Sequence, residues 1–315
     1  MLVTLLVGCA ASPGGPATGA AGEKLRAVTT ITVFADLVRN VGGDRVTVDA
    51  LVPAGRDVHT FDPSPSDARK IADAKLLVLN GLGLDDWIEG AATSAGAANV
   101  SRVRLAEDLP DTRYLPGAHE DGANNGESSP QADENDPSAG AGGAANPHLW
   151  LNVAYARKYV ARLAASLAQL APDASAAFAA NAAAYAARLA ALDSWVREQM
   201  ASVPAEHRKV VSQHDAFPYF AHAYGIDIVD VVVDSPGQEP SARKLAQVVD
   251  AIRRSGARGV ITEAQFNRDL AARIAAEAGA TIIGDLYSDS LGPPPADSYE
   301  GIIRYDVERI VEALK

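Results

Sequence analysis

The fold is decided by residues 26–52, which read RAVTTITVFADLVRNVGGDRVTVDALV. Two β-rich runs, Arg26 to Thr32 and Arg45 to Val52, flank a helix-like run from Phe34 to Val41. Strands that alternate with helices of about 10 residues indicate βαβ units and therefore a parallel sheet.

The same alternation continues toward the C-terminus in two blocks. In the first, a helix opens at Ser64 and further strands are predicted at 75–79 and 102–105. In the second, after Pro204, strands are predicted at 209–212, 226–233, 259–262 and 280–284. Two long helical stretches, 152–170 and 173–201, lie between the blocks. We therefore predict an α/β fold with two similar lobes, each a parallel four-stranded sheet flanked by helices, joined by one long helix.

The chain length supports this division, because 315 residues exceed what one hydrophobic core usually serves. We assign residues 25–172 to an N-terminal α/β lobe, 173–203 to the connecting helix and 204–315 to a C-terminal α/β lobe. Residues 117–146 contain almost nothing apolar, which predicts a mobile acidic insertion. Residues 1–24 are assigned to a signal segment, a lipobox and a flexible tether.

The composition excludes several classes of function. The formal net charge is −12, and no cluster of Lys and Arg lies on a predicted helix face, so we expect no nucleic-acid partner. Apolar residues make up 48% and charged residues 22% of the chain, which argues against a membrane-spanning protein. Because Cys9 is the single cysteine, any metal site must use histidines and carboxylates.

Cys9 itself lies in a segment typical of bacterial lipoproteins. A short apolar run ends in Leu6, Val7 and Gly8 immediately before Cys9, and small residues follow. This pattern resembles a lipobox, whose cysteine is lipidated and becomes the mature N-terminus; the alternative is an ordinary signal peptide. The basic segment that should open a signal peptide is missing, so we expect the natural start to lie upstream. The predicted location is outside the cytoplasm, lipid-anchored to the membrane or periplasmic.

Three histidines and one aspartate fall at predicted strand ends or on loops that can reach them: His59, His148, His214 and Asp285. Ligands of open α/β sheets bind at the carboxyl ends of the strands. Three imidazoles and one carboxylate form a complete tetrahedral set for Zn²⁺. The other histidines, His119, His207 and His222, lie in contexts that do not indicate a ligand.

Four segments resemble the signature segments of one known family. They read HTFDPSPSD at 59–67, NPHLWLN at 146–152, HDAFPYF at 214–220 and DLYSDSLG at 285–292. In this order, behind a lipobox, they resemble the zinc and manganese solute-binding proteins of ABC importers. The resemblance runs from about Leu25 to the C-terminus. It implies that His59, His148, His214 and Asp285 are the metal ligands.

The third segment bears on the choice of metal. By the resemblance, members with Glu at the position of His214 bind manganese and members with His bind zinc; imidazole also suits Zn²⁺ better than Mn²⁺. Zinc is therefore predicted, with an Mn²⁺ or mixed-metal receptor as the alternative. Glu263, at a predicted strand end, is a candidate acceptor for a ligand imidazole, or else the partner of an arginine. Residues 117–146 contain only one histidine, His119, so we expect no metal-gathering role for them.

The sequence thus predicts high-affinity capture of Zn²⁺ outside the cytoplasmic membrane and delivery to an ABC permease and its ATPase, by a monomer that is not an enzyme. The rival from another class is a secreted zinc hydrolase with Glu263 or Asp215 as general base. No His-Glu-x-x-His motif is present, and a closed four-ligand shell leaves no position for water. A receptor for a chelated metal or small organic ligand is a further alternative.

Overall fold

A computed structural model describes residues 24–117, 145–233 and 237–315 of the chain. Cys9, His119 and nearly all of the acidic insertion lie outside these ranges. The strands are β1 Leu25–Thr29, β2 Val46–Ala50, β3 Leu76–Leu79, β4 Ser101–Arg104, β5 Lys209–His214, β6 Asp227–Val233, β7 Gly259–Glu263 and β8 Thr281–Leu286. The α-helices are α1 Thr32–Gly42, α2 Pro65–Asp73, α3 Trp87–Ser94, α4 Val153–Leu170, α5 Ser175–Ala201, α6 Pro218–Tyr224, α7 Ala242–Ser255, α8 Arg268–Ala278 and α9 Tyr299–Leu314.

The strands form two four-stranded sheets of the same design. The first has the order β2-β1-β3-β4 and the second the order β6-β5-β7-β8, and every pairing is parallel. The predicted fold class is confirmed. In each sheet the first strand lies between the second and the third, so the strand order reverses between β1 and β3 and between β5 and β7. In folds of this kind a ligand binds in the crevice at the carboxyl ends of these strands.

Helices begin shortly after each of the three predicted histidine ligands, and local sequence explains each start. Ser64 and Asp67 form a capping box that opens α2 behind His59, with Pro65 at the first helical position. The Asn152 side chain accepts a hydrogen bond from the amide of Ala154 at 2.9 Å and opens α4. Pro218 opens α6. These helix starts determine where each histidine-bearing loop ends.

One continuous hydrophobic core joins the two lobes. It runs from β1 to the end of α9 and includes Phe34, Trp150, Leu192, Phe217 and Ile303, all at most 2% exposed. Two smaller cores lie on the outer faces of the sheets, under α2 and α3 in the first lobe and under α7 and α8 in the second. Because buried side chains of both lobes belong to one core, a relative movement of the lobes would disrupt its packing.

The long helix α5 runs along this shared core. Its 27 residues span about 40 Å at 1.5 Å per residue. The predicted stretch began at Asp173, but the structure has a short 3-10 turn, Pro172–Ala174, before the helix begins at Ser175. In the described ranges there is no helix with the length and apolar character needed to cross a membrane.

Candidate metal centre

Three predicted histidines from distant parts of the sequence meet in one group between the lobes. His59 lies on the loop after β2, His148 precedes the 3-10 turn Leu149–Leu151, and His214 is the last residue of β5. Their ring centroids are 5.0 to 5.5 Å apart. One ring nitrogen from each lies within 4.8 Å of the others. The structure therefore brings together donor atoms from residues that lie up to 155 positions apart in the sequence.

The Nε2 atoms of these histidines are buried and have no hydrogen-bond partner among the described residues. His148 and His214 are 1% exposed, and the His59 side chain is 17% exposed. A buried imidazole nitrogen without a partner loses its hydration and makes no hydrogen bond to replace it. Three such atoms that face one point therefore indicate that a ligand binds there. We name this group, together with Asp289, the inner site.

Asp289 supplies the carboxylate of the inner site. It is 2% exposed, and its Oδ1 lies 3.6 Å from His148 Nε2 while its Oδ2 lies 4.0 Å from His59 Nε2. Neither oxygen has a hydrogen-bond donor at normal distance among the described residues. Burial raises the pKa of Asp289 to about 7, against the opposing effect of His214. A buried carboxylate facing three imidazoles completes a donor set of three nitrogens and one carboxylate.

Asp285, the predicted fourth ligand, does not join this group. Its side chain is 37% exposed and accepts a hydrogen bond from Arg268 Nη1 at 3.2 Å. The cause is a bulge in β8: Ile261 pairs with Ile283 but Glu263 pairs with Leu286, so two steps on β7 match three on β8. Asp285 takes the left-handed conformation there, with φ of 60°, and turns outward. The carboxylate among the histidines belongs to Asp289, four residues further on.

The imidazoles of the inner site are held by acceptors behind them. His214 Nδ1 lies 3.2 Å from Glu263 Oε2, and both side chains are 1% exposed. His148 Nδ1 lies 3.0 Å from Asn146 Oδ1. An acceptor at Nδ1 places the proton there and leaves Nε2 with its lone pair free toward the centre. Glu263 thus contacts a histidine, the arrangement expected of an orienting acceptor, whereas sequence reasoning missed Asn146.

Burial sets the protonation of these rings. It lowers the pKa of His59 to about 4, with His214 adding to the effect, and lowers the pKa of His148 well below its ordinary value. Burial also acts to lower the pKa of His214, but the charge of Glu263 and its hydrogen bond outweigh it and the net shift is upward. His59 and His148 are therefore neutral at physiological pH, the form in which imidazole binds a metal.

Hydrogen bonds between the two lobes hold the loops that carry the inner-site residues. Asn146 Nδ2 donates to the carbonyl and to the carboxylate of Asp215, at 2.7 and 2.9 Å. In the other direction, the amide of Leu291 donates to Thr32 Oγ1 at 2.8 Å and the amide of Gly55 to Ser290 Oγ at 3.2 Å. The His148 loop is thereby fastened to the second lobe, and the Asp289 loop to the first.

The remaining histidines lie elsewhere. His207 is on a 3-10 turn, Ala205–His207, where its Nδ1 lies 2.9 Å from the carbonyl oxygen of Leu314. His222 is exposed on α6. Among the described residues neither belongs to a group of donor atoms that could hold a metal ion, and His119 lies outside the described residues.

Fold and site together define a two-lobed α/β protein with a buried group of donor atoms that could hold a metal ion. Residues 27–313 match the family described as zinc-uptake complex component A, periplasmic, and the chain belongs to this family. It is accordingly a metal-binding solute-binding protein of an ABC importer and not an enzyme. The zinc hydrolase considered from the sequence is excluded.

Curated relatives cover nearly the whole chain. The manganese-binding lipoprotein MntA of Halalkalibacterium halodurans is 29% identical over 100% of this chain and 96% of its own length. The iron-binding protein YfeA of Yersinia pestis is 29% identical over 93% of this chain and 87% of its own. Among solved structures, the periplasmic zinc binding protein TroA of Treponema pallidum superposes with a TM-score of 0.78 at 26% identity, covering 92% of this chain and 99% of TroA.

Proposed function

We propose that this protein captures Zn²⁺ outside the cytoplasmic membrane and delivers it to an ABC permease for import. The observation that carries the proposal is the inner site, where three unpartnered Nε2 atoms, of His59, His148 and His214, face the buried carboxylate of Asp289. The proposed ligand set takes Asp289 in place of Asp285.

The donor chemistry favours zinc. Three imidazoles and one carboxylate match the tetrahedral preference of Zn²⁺, whereas Mn²⁺ prefers more oxygen donors. A tetrahedral ion with bonds of about 2.0 Å sets its ligand atoms about 3.3 Å apart. The three histidine donors lie within 4.8 Å of one another, so a small inward movement of the side chains closes the shell.

Mn²⁺ is the alternative cargo, and two observations favour it. Relatives such as MntA are named as manganese-binding, although TroA is named as zinc-binding. Asp289 also offers two oxygens without hydrogen-bond partners, so a bidentate carboxylate can raise the coordination number beyond four. A mixed-metal receptor would bind Zn²⁺ with four ligand atoms and Mn²⁺ with more than four.

Competition between the two metals tests the proposal. Purified protein stripped of metal is titrated calorimetrically with Zn²⁺ and with Mn²⁺, and the same titrations are made on His214→Glu. We expect the wild type to bind Zn²⁺ more tightly, and His214→Glu to weaken Zn²⁺ and improve relative Mn²⁺ binding, because a hard oxygen replaces an imidazole. A wild type that prefers Mn²⁺, or a ratio that the substitution leaves unchanged, contradicts the zinc assignment.

An anchor would keep the protein close to the permease. We propose that lipidation of Cys9 anchors it, as a monomer, to the outer face of the membrane, with residues 10–24 as tether. Family relatives named as lipoproteins support this. Cys9→Ser should move the protein from the membrane fraction to the soluble fraction, and an unchanged distribution would show that another feature holds it there.

A further inference from the structure

A second group of donor atoms lies beside the inner site. One oxygen of Asp57, one nitrogen of His59 and one oxygen of Asp289 lie within 4.8 Å of one another. His59 and Asp289 also belong to the inner site, so the two groups share part of their donors. Asp57 is the member that the inner site does not contain.

Asp57 and His59 are more exposed to solvent than the other side chains of the two groups. Asp57 is half-buried and the His59 side chain is 17% exposed. The side chains of His148, Asp289 and His214 are only 1 to 2% exposed. An ion that approaches from solvent therefore meets Asp57 and His59 before it reaches the other ligands.

Asp57 is held in position by its own loop. Its Oδ1 accepts a hydrogen bond from the amide of His59 at 2.9 Å, and its Oδ2 accepts one from Thr60 Oγ1 at 2.7 Å. A carboxylate has about four lone-pair positions, so each oxygen retains one for a cation. The buried Asp289 carboxylate on the other side has oxygens without hydrogen-bond partners in the described chain.

We propose that Asp57, His59 and Asp289 form an outer subsite, at which the incoming divalent cation is first bound before it moves to the inner site. The step deepens the proposed function and rests on it. During the transfer the cation keeps His59 and Asp289 and exchanges Asp57 for His148 and His214. The ion thus loses its water in stages, because the half-buried Asp57 carboxylate first replaces part of the hydration shell.

This role has a kinetic signature that an ordinary ligand lacks. A group that contacts the ion only on the way in also contacts it on the way out, so its loss slows association and dissociation by the same factor. A ligand of the bound state would instead accelerate dissociation. A charge that acts only by long-range attraction would lower association alone, and salt would weaken its effect.

Asp57→Asn is the test variant, since the amide oxygen still accepts the hydrogen bond from the His59 amide. Asp62→Asn is the matched control, because Asp62 is an exposed carboxylate on the same loop. Zn²⁺ is mixed with each protein in a stopped-flow instrument, and the tryptophan fluorescence, to which Trp150 contributes with its ring 5.2 Å from that of His148, reports binding. A chelator in excess then gives the dissociation rate.

We expect Asp57→Asn to lower both rate constants about tenfold, equivalent to about 1.4 kcal/mol in barrier height, with the Kd little changed. Asp62→Asn should leave both rates unchanged. The outer subsite is overturned if Asp57→Asn leaves both rates as they are, raises only dissociation, or lowers only association. Failure of the wild type to bind either Zn²⁺ or Mn²⁺ would instead overturn the proposed function.

Discussion

The indole Nε1 of Trp150 donates a hydrogen bond to the carbonyl oxygen of Ser288 at 2.9 Å, and both residues are fully buried. Trp150 lies two residues after His148, and Ser288 immediately precedes Asp289. Tyr299 adds a second tie, because its hydroxyl donates to the carbonyl of Trp150 at 2.7 Å. The Trp150 side chain thus sets the spacing between two proposed ligands, His148 and Asp289, from opposite halves of the chain.

Trp150→Phe should destabilise the protein and weaken metal binding together. The substitution leaves the buried Ser288 carbonyl without its donor, which costs about 1–3 kcal/mol, and it loosens the spacing between His148 and Asp289. The free energy of unfolding in denaturant, with and without Zn²⁺, measures both effects. Trp195→Phe is the control: Trp195 packs under the Arg304 guanidinium at 4.7 Å, and its loss should cost less than about 1 kcal/mol without changing affinity.

The two aspartates of the last segment should behave differently. Asp289→Asn removes the buried carboxylate and should lower Zn²⁺ affinity by at least about a hundredfold, beyond the usual effect of residues that only support a ligand. Asp285→Asn breaks an exposed contact with Arg268 and should change affinity by less than about threefold. Calorimetric titration of the two variants distinguishes them, and the reverse order of effects would restore Asp285 as the ligand.

Glu263→Gln should lower Zn²⁺ affinity by about 10- to 100-fold. The neutral amide cannot stabilise a metal-bound His214 as a carboxylate does, although it fills the same space. Asp269→Asn, on a neighbouring helix and not in contact with the inner site, is the control for a change of charge. An affinity equal to that of the wild type would show that Glu263 only fills the core behind His214.

Metal affinity should fall as the pH decreases below about 7. In the metal-free protein the pKa of Asp289 is raised to about 7 and that of His214 is also raised, so below these values the ion must displace protons. Each displaced proton lowers the affinity about tenfold per pH unit. The pKa values of His59 and His148 are lowered, so these rings stay neutral and add no competition near neutrality. Calorimetry in buffers of different ionisation enthalpy measures the proton release, and an affinity that is constant from about pH 7.5 to 5.5 would contradict this account.

The local sequence was sufficient for most of the fold. Hydrophobic runs and start signals such as Ser64 and Pro218 are short-range features, and they placed the strands and helices to within a few residues. The parallel sheets followed, because alternating strands and helices have few other ways to bury their apolar faces. The motif histidines could be found from short-range features too: His214 ends β5, His59 lies on the loop after β2, and His148 lies just before the helix start that Asn152 marks.

The sequence by itself determined the α/β architecture with two repeated lobes. It also identified three candidate histidines and, with Cys9 as the single cysteine, left no thiolate ligand for them to join. Tertiary structure alone decided which aspartate joins them. Both Asp285 and Asp289 stand in one short segment, and the choice depends on the bulge opposite β7, which turns Asp285 outward, and on contacts of Ser290 and Leu291 with the first lobe, which bury Asp289. These partners lie more than 200 residues away in the sequence, so no local pattern could reveal them.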